Sequence, residues 1–158
     1  MNLDFASVWE MISDIVPEND ALICGDEIIS WKDYDLQSSK IATALKNAGL
    51  GPNSKAGLYL NNSNEYLIGQ NAIFKIGGVP INVNYRYVAE ELIYLLDNSD
   101  SEAVFYHACY SSRIKEISGS LPNIKAWIEI ADGTKSEFED SLKFEELLDS
   151  CDPMERIH

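Results

Sequence analysis

The sequence predicts an α/β fold in which an N-terminal helix and hairpin (residues 1–32) precede a mostly parallel sheet flanked by helices (residues 33–158). Two observations lead to this prediction. After residue 32, apolar residues at helical spacing alternate with short apolar runs of strand length. Helices that alternate with strands provide crossover connections, which make successive strands parallel and place helices on both faces of the sheet.

Length and composition are those of one globular domain. The 158 residues are 46% hydrophobic and 24% charged, which is an ordinary globular composition. The net charge of −14 includes only 12 basic residues, spread along the chain, so we expect no binding to nucleic acid or to an acidic membrane surface. No apolar run is long enough for a membrane span or a signal segment. We therefore expect a cytoplasmic protein.

The C-terminal part of the chain is the most acidic. Residues 129–158 contain ten acidic and three basic residues, and so contribute −7 of the net charge of −14. This distribution is consistent with an acidic interaction tail or with a solvated face and loop. We favour the solvated face, because charge runs usually lie on the surface.

Cysteine and histidine supply little candidate chemistry. Cys24, Cys109 and Cys151 lie far apart in the sequence, so we expect neither a disulfide framework nor a zinc site. His107 is close to Cys109, but two side chains do not make a metal site. A nucleophilic Cys–His pair is a further interpretation. The favoured interpretation is inert thiols in a reducing compartment.

The N-terminal elements are predicted to be a helix and a hairpin. Asp4 is a suitable N-cap for a helix that stops before Pro17. Two strand-like runs at residues 21–24 and 28–31 flank a Gly-Asp-Glu turn, which predicts a tight hairpin with Trp31 in the core. The residues at helical spacing in the first helix are Phe5, Val8, Trp9, Ile12 and Ile15.

From Asp33 onward, helices and strands alternate. Asp33 is expected to open a helix that Gly49 ends, because glycine readily adopts the left-handed conformation of a helix end. Asn62, with Glu65 three residues later, resembles a capping box. Pro80 lacks an N–H and belongs at a sheet edge or a strand start. The further elements are predicted as a strand (55–60), a helix (64–76), a strand (79–83), a helix beginning near Glu90 and Glu91, a strand (103–106), a helix through Ile114, Ile117 and Leu121, a strand (125–130) and a helix from Phe144 to Pro153.

No motif for catalysis or phosphate binding occurs in the sequence. It contains no G-x-x-x-x-G-K, G-x-G-x-x-G or G-x-S-x-G pattern. The trio Tyr85, Arg86 and Tyr87 has the chemistry to stack on a planar ligand, although a loop packed by its own aromatic side chains is the favoured interpretation. We therefore assign no catalytic, cofactor-binding or metal-binding residue from the sequence.

Two short motifs carry a resemblance to a known enzyme family. Residues 29–34 (Ile-Ser-Trp-Lys-Asp-Tyr) are similar to a strand-to-helix motif of the adenylate-forming enzymes, with Tyr34 in place of the usual leucine. Residues 74–81 (Phe-Lys-Ile-Gly-Gly-Val-Pro-Ile) are similar to a second motif, with Phe74 and Ile76 in place of leucine and alanine. The Asn-Val-Asn-Tyr-Arg-Tyr run that follows most resembles fatty acyl-CoA synthetases. In this family both motifs are mainly structural.

The resemblance covers residues 5–153 and implies an incomplete N-terminal portion of the adenylate-forming large domain. Such enzymes use ATP, Mg²⁺ and CoA to convert a carboxylic (fatty) acid into an acyl-CoA through an acyl-adenylate. The family's phosphate-binding loop and its later motifs cannot be placed on this chain. The resemblance therefore implies that this segment binds none of these cofactors by itself and is inactive alone.

Three interpretations of the chain remain open. The favoured one is the N-terminal fragment of an acyl-CoA synthetase, partnered by the remaining C-terminal part of the synthetase or by self-association. Either partner would cover the apolar surface or unpaired sheet edge that missing segments leave exposed. The alternatives are a non-catalytic interaction or binding module on the same scaffold, and a free-standing nucleotide-binding domain.

Overall fold

A computed structural model describes residues 4–156 of the chain. It begins with helix α1 (Phe5–Ile15) and an antiparallel hairpin of strands β1 (Asp20–Cys24) and β2 (Glu27–Ser30). The other elements, in chain order, are α2 (Trp31–Asn47), β3 (Lys55–Tyr59), α3 (Asn64–Lys75), β4 (Val79–Asn82), α4 (Ala89–Asn98), β5 (Ser101–His107), a 3₁₀ turn (Ala108–Tyr110), α5 (Ser111–Ser118), β6 (Ala126–Ile130), β7 (Leu142–Lys143) and α6 (Phe144–Ser150). This order confirms the predicted α/β class.

Strands β3 to β7 form a five-stranded parallel sheet in the order β4-β3-β5-β6-β7. Strand β4 lies at one edge, as Pro80 predicted. The N–H of Val79 donates to the carbonyl oxygen of Ser54, just before β3, over 2.8 Å. The N–H of Val83 donates to the carbonyl oxygen of Leu58, in β3, over 3.2 Å. Because alternate residues of a strand face opposite neighbours, Pro80 turns its missing N–H toward the open edge. This position limits pairing with a further strand.

Helices cover both faces of the sheet, which confirms the predicted layers. Residues of β3, β5 and β6 alternate between two apolar clusters, so that Leu58 and Phe105 lie in one and Val104 and Tyr106 in the other. The first cluster also contains residues of α2, α3 and α6, and the second contains residues of α4 and α5. No helix within residues 4–156 is long and apolar enough to cross a membrane.

Serines, and not the predicted residues, cap two of the helices. Helix α2 begins at Trp31, and the N–H of Asp33 donates to the Ser30 hydroxyl over 3.1 Å. Helix α3 is capped by Ser63, whose hydroxyl accepts from an N–H three residues later over 3.2 Å. The predictions that Asp33 opens α2 and that Asn62 caps α3 were therefore wrong. Both serines have extended backbone conformations, which bring the hydroxyl within reach of those N–H groups.

The C-terminal elements differ from the prediction in their bounds. Helix α5 ends at Ser118, although Leu121 beyond it is buried as expected. Helix α6 ends at Ser150, before Pro153. The two-residue strand β7 was not predicted, because two residues are too few to show a period of alternation.

The glycine pair after α3 returns the chain to the sheet. Gly77 has φ of +72°, a conformation that glycine adopts without strain. The N–H of Gly78 donates to Ile73 O over 2.9 Å, and a Cβ atom at Gly78 would lie 2.9 Å from Ser54 O. A side chain at this position would force the backbone to shift, so the motif has a structural role.

Candidate functional site

The strand order predicts a crevice at the carboxyl ends of β3 and β5. After β3 the chain enters α3, which packs on one face of the sheet through Ile68 and Ile73. After β5 the chain enters α5, which packs on the opposite face through Ile114 and Ile117. Neighbouring parallel strands whose connections leave to opposite faces form the crevice in which open α/β sheets bind ligands. The residues at these strand ends therefore make up the candidate site.

His107, at the end of β5, holds the loop that follows β3. The N–H of Asn61 donates to His107 Nδ1 over 3.2 Å, and the Tyr110 hydroxyl donates to Asn61 Oδ1 over 3.0 Å. Burial lowers the pKa of His107, although the carboxylates of Asp132 and Glu65 act in the opposite direction. The imidazole is therefore neutral at pH 7, and its Nδ1 atom is already used as an acceptor.

Cys109 contacts Asp132, which lies in the loop after β6. The N–H groups of Cys109 and Thr134 donate to the Asp132 carboxylate over 3.0 and 2.9 Å. Burial opposes the shift, but hydrogen bonds from the Cys109 thiol and from these N–H groups lower the pKa of Asp132 to about 2. Burial, together with hydrogen bonding and charge from Asp132, raises the pKa of the Cys109 thiol to about 11. Because the thiolate is the nucleophilic form, these contacts give no support to a Cys–His nucleophile pair.

Arg113 and Tyr59 hold the loop that follows β4. Arg113 Nη1 donates to the Tyr59 hydroxyl oxygen over 2.6 Å and to Tyr87 O over 2.8 Å. The Tyr59 hydroxyl donates to Tyr85 O over 3.2 Å. Burial raises the pKa of Tyr59, while Arg113 acts to lower it, so the hydroxyl stays protonated at pH 7. Both side chains use their polar atoms to fix backbone.

The loop of Tyr85, Arg86 and Tyr87 is packed by its own side chains. The Arg86 guanidinium carbon lies 5.3 Å from the centroid of the Tyr85 ring, within cation–π range. Tyr87 is partly buried against the cluster formed with α4 and α5, and the Arg86 N–H donates to Asn84 Oδ1 over 2.9 Å. Tyr85 is nevertheless 43% exposed, so stacking on a planar ligand stays a prediction beside the favoured interpretation.

The crevice residues offer little chemistry by themselves. The pKa values of His107, Cys109 and Asp132 are displaced away from neutrality, whereas a general acid or base works best near the operating pH. Among residues 4–156, no group of three or more His, Cys, Asp and Glu side chains could hold a metal ion. The Ser63 hydroxyl caps the start of α3, next to the crevice. Without further ligands, the described side chains of the crevice therefore do not fit Mg²⁺.

A second polar cluster, the Lys75 network, comprises Glu10, Asp14, Asp35, Lys75 and Arg156. The Lys75 side chain is 1% exposed, and its Nζ atom lies 2.5 Å from Glu10 and 2.6 Å from Asp35. Arg156 lies 2.8 Å from Asp14 and 2.9 Å from Asp35. The network joins α1, α2 and α3 to the C-terminal residues. Each charge has an opposite partner, so its role is structural.

Glu129 is a correction to the predicted solvated acidic face. Its side chain is 5% exposed and accepts hydrogen bonds from Tyr106 over 2.9 Å, Ser136 over 2.5 Å and Lys143 over 2.6 Å. The carboxylate is therefore internal, because the side chains of Tyr106, Ser136 and Lys143 surround it on the face of the sheet. Most of the later acidic residues are exposed.

These polar groups are marked by almost no signal in the sequence. Arg113 and Asp132 belong to no recognisable motif, and their partners lie far away in the chain. Lys75 stands between Phe74 and Ile76. A lysine inside an apolar run was the available hint of a buried ion pair, because a buried lysine requires a partner.

Comparison with known proteins establishes the family. The family described as "AMP-binding enzyme" matches residues 13–156. The chain belongs to the AMP-binding enzyme family. The predicted resemblance to adenylate-forming enzymes is thereby confirmed.

Several curated relatives of this AMP-binding family member are named as CoA ligases. The medium/long-chain-fatty-acid–CoA/3-oxocholest-4-en-26-oate–CoA ligase of Mycobacterium marinum is 37% identical over 136 residues, which are 86% of this chain and 25% of that protein. The 3-oxocholest-4-en-26-oate–CoA ligase of Rhodococcus rhodochrous is 35% identical over 138 residues, 87% of this chain and 25% of that protein. The chain thus spans about a quarter of their length and matches the N-terminal part of acyl-CoA ligases.

Solved structures show the same fold. The anthranilate CoA ligase AuaEII in complex with anthranoyl-AMP superimposes with a TM-score of 0.86 at 19% identity, over 96% of this chain and 29% of that one. The N-terminal domain of FACL13 from Mycobacterium tuberculosis gives 0.85 at 20% identity, over 99% of this chain and 38% of that one. At these identities the likeness supports the fold alone.

Proposed function

We propose that the chain is the N-terminal portion of an ATP-dependent acyl-CoA synthetase. The complete enzyme converts a carboxylic acid, ATP and CoA into acyl-CoA, AMP and pyrophosphate. The observation that carries the proposal is the family match over residues 13–156, together with relatives of 37% and 35% identity that are named as CoA ligases.

The substrate class is a carboxylic acid with a large apolar body. The Mycobacterium marinum relative is named for medium- and long-chain fatty acids and for 3-oxocholest-4-en-26-oate, and the Rhodococcus rhodochrous relative for the latter. These substrates share a carboxylate on a large hydrocarbon frame. A fatty acid is therefore the first substrate to test.

Within the complete enzyme, this portion supplies scaffold, and the rest of the enzyme binds ATP, Mg²⁺ and CoA. Two features of the crevice support this proposal. Its polar side chains hold loops in place, and the pKa of the Cys109 thiol is raised to about 11. The chain alone is proposed to be inactive. Its three free cysteines are consistent with a reducing, cytoplasmic location.

The proposed partner is the polypeptide that carries the remaining C-terminal part of the synthetase. This proposal is supported by a comparison of lengths, because the chain spans about a quarter of the length of the relatives it matches. The test is to co-express the chain with the Mycobacterium marinum ligase lacking its matched N-terminal quarter, and to measure acyl-CoA formation from several fatty acids. We expect the pair to form acyl-CoA and each half alone to form none, with the intact relative as the positive control.

A non-catalytic interaction module on the same scaffold is the second proposal. It is favoured by the exposed apolar side chains of the described region, which include Ile23 at 67% and Ile28 at 59%, paired across the hairpin. A stable complex with the ligase remainder that forms no acyl-CoA would favour this module. Activity of the chain alone would contradict both proposals.

A further inference from the structure

Two buried polar side chains in the helical layer lack hydrogen-bond partners. Ser38 on α2 is 0% exposed, and Asn71 on α3 is 1% exposed. Among residues 4–156, the hydroxyl of Ser38 and both polar atoms of the Asn71 side-chain amide have no hydrogen-bond partner. Burying polar groups without hydrogen bonds costs free energy, so these three atoms require an explanation.

Side-chain contacts identify the surface of α3 that faces α2. The hydroxyl of Tyr34, on α2, donates to Leu67 O over 3.1 Å. The Nζ atom of Lys75 lies 2.6 Å from Asp35, which is also on α2. Asn71 stands midway between Leu67 and Lys75, four residues from each. Because residues four apart lie on the same face of a helix, Asn71 belongs to the surface that faces α2.

Ser38 lies on the matching surface of α2. It follows Asp35 by three residues and Tyr34 by four, so the three side chains share one helix face. Helices α2 and α3 pack against each other, yet Ser38 and Asn71 make no direct hydrogen bond. Facing polar groups that are too far apart to bond directly are suited to a water-mediated contact.

We propose that a water molecule is bound between α2 and α3, where it bridges the hydroxyl of Ser38 and the side-chain amide of Asn71. A buried water makes about three hydrogen bonds to groups that would otherwise be unsatisfied. The amide and the hydroxyl each offer donors and acceptors. The hydroxyl oxygen of Tyr34, which donates to Leu67 O, retains acceptor capacity and supplies the third partner.

The proposed water site is separate from the proposed synthetase activity. Asn71 lies in the middle of α3 and Ser38 lies within α2, whereas the crevice is at the carboxyl ends of the strands. The role of the water is to join the two helices by satisfying polar groups of both.

Relaxation dispersion of water ¹⁷O, measured on the full chain, tests whether the water is bound. The method detects buried water molecules that stay bound for longer than the protein takes to tumble, and it is insensitive to exchanging hydroxyl protons. Asn71→Leu keeps the branched shape of asparagine and removes its polar atoms, so it should expel the water. We expect the dispersion amplitude to fall by the contribution of a single water molecule.

Gln70→Leu, at the half-buried neighbouring position on α3, is the matched control and should leave the amplitude unchanged. If Asn71→Leu does not fold, Ser38→Val supplies the same comparison, because it replaces the hydroxyl by methyl groups that face the same site. An amplitude that the folded variant leaves unchanged would overturn the proposal.

A double-mutant cycle tests whether the water bridges both side chains. Ser38→Ala and Asn71→Leu interrupt the same bridge, so the second substitution has less left to remove. We expect the unfolding constant of the double variant to be at least about threefold lower than the product of the two single effects predicts. Ser38→Ala combined with Gln70→Leu should give independent effects. Independent effects of Ser38→Ala and Asn71→Leu would contradict the bridge, and so would coupling without a change in dispersion amplitude, because the two side chains would then bond directly.

Discussion

The Lys75 network and the crevice at the strand ends are both polar, but they use their polar groups in different ways. The network buries opposite charges in contact, with Lys75 between Glu10 and Asp35. The crevice contains a neutral imidazole at His107 and a protonated thiol at Cys109, which bond mostly to backbone or to a neighbouring loop. The Lys75 network joins helices, and the crevice residues hold the loops at the carboxyl ends of the strands in place.

The difference shows where charge is needed in this portion of the fold. The Lys75 network lies under the inner face of α1, where Glu10 is buried on the same helix as Trp9, whose ring packs against Tyr34 and Phe74. At the strand ends, where an α/β protein usually binds its ligand, the side chains are already occupied by internal hydrogen bonds. This contrast supports the proposal that the described residues contribute structure to a synthetase whose chemistry lies elsewhere.

The largest expected effect is the loss of the buried cation in Lys75→Met. Removing Lys75 leaves the partly buried Glu10 and Asp35 with Arg156 as the nearby cation, at 3.8 and 2.9 Å. We therefore expect a loss of about 3 kcal/mol of unfolding free energy, the lower end of the range for a broken buried ion pair. Urea denaturation followed by circular dichroism measures this loss. Lys115→Met, at an exposed position on α5, is the control and should change stability little. A loss below about 1 kcal/mol for Lys75→Met would mean that solvent reaches the network.

A smaller effect is expected in the crevice from Tyr59→Phe. The change removes a hydroxyl that donates to Tyr85 O and accepts from Arg113, and a typical hydrogen bond contributes about 0.5–1.5 kcal/mol. The same denaturation experiment measures it. Tyr94→Phe is the matched control, because Tyr94 is 71% exposed and should show no change. If the two variants behave alike, the hydroxyl of Tyr59 does not anchor the loop.

The smallest expected effect is a dependence of stability on pH that originates in the crevice. His107 has a lowered pKa in the fold, so as the pH falls through about 6.5 the unfolded chain binds a proton that the folded chain does not. Stability is therefore complete above that pH and decreases below it. Asp132, with a pKa of about 2 in the fold, adds a further decrease below about pH 4.

Unfolding midpoints measured between pH 7 and pH 3 test whether His107 and Asp132 cause these two decreases in stability. His107→Asn, which keeps an acceptor near the Nδ1 position, should remove the decrease between pH 7 and 5 and leave the decrease at lower pH. Asp132→Asn should do the reverse. A pH profile that neither variant alters would place the titrating groups outside the crevice.

Much of the fold could be predicted because its signals are local. The helix of residues 64–76, the Gly77-Gly78 stop and the edge position of Pro80 depend on nearby residues, and the structure agrees with each of them. The helix caps were harder, because Ser30 and Asp33 are both suitable capping residues. Their roles depend on backbone conformation rather than on residue type.

The candidate site and the charged network could not be predicted, because their contacts are distant in sequence. Asn61 meets His107 across 46 positions, and Lys75 meets Glu10 across 65. The exposure of Phe5 and Ile15 on α1 could not be predicted either, because the spacing of the apolar residues in α1 is that of an ordinary core helix. Apolar side chains are exposed at Ile23 and Ile28, but the exposed surface and the association that we expected from missing segments stay predictions.

The most direct test of the central claim is ATP–pyrophosphate exchange by the purified chain, with Mg²⁺ and several fatty acids. Acyl-adenylate formation is reversible, so labelled pyrophosphate enters ATP if the chain performs this step. We predict no exchange above a no-enzyme control, with the intact Mycobacterium marinum relative as the positive control. Exchange that depends on both the fatty acid and the folded chain would contradict the account, because these residues would then carry the chemistry themselves.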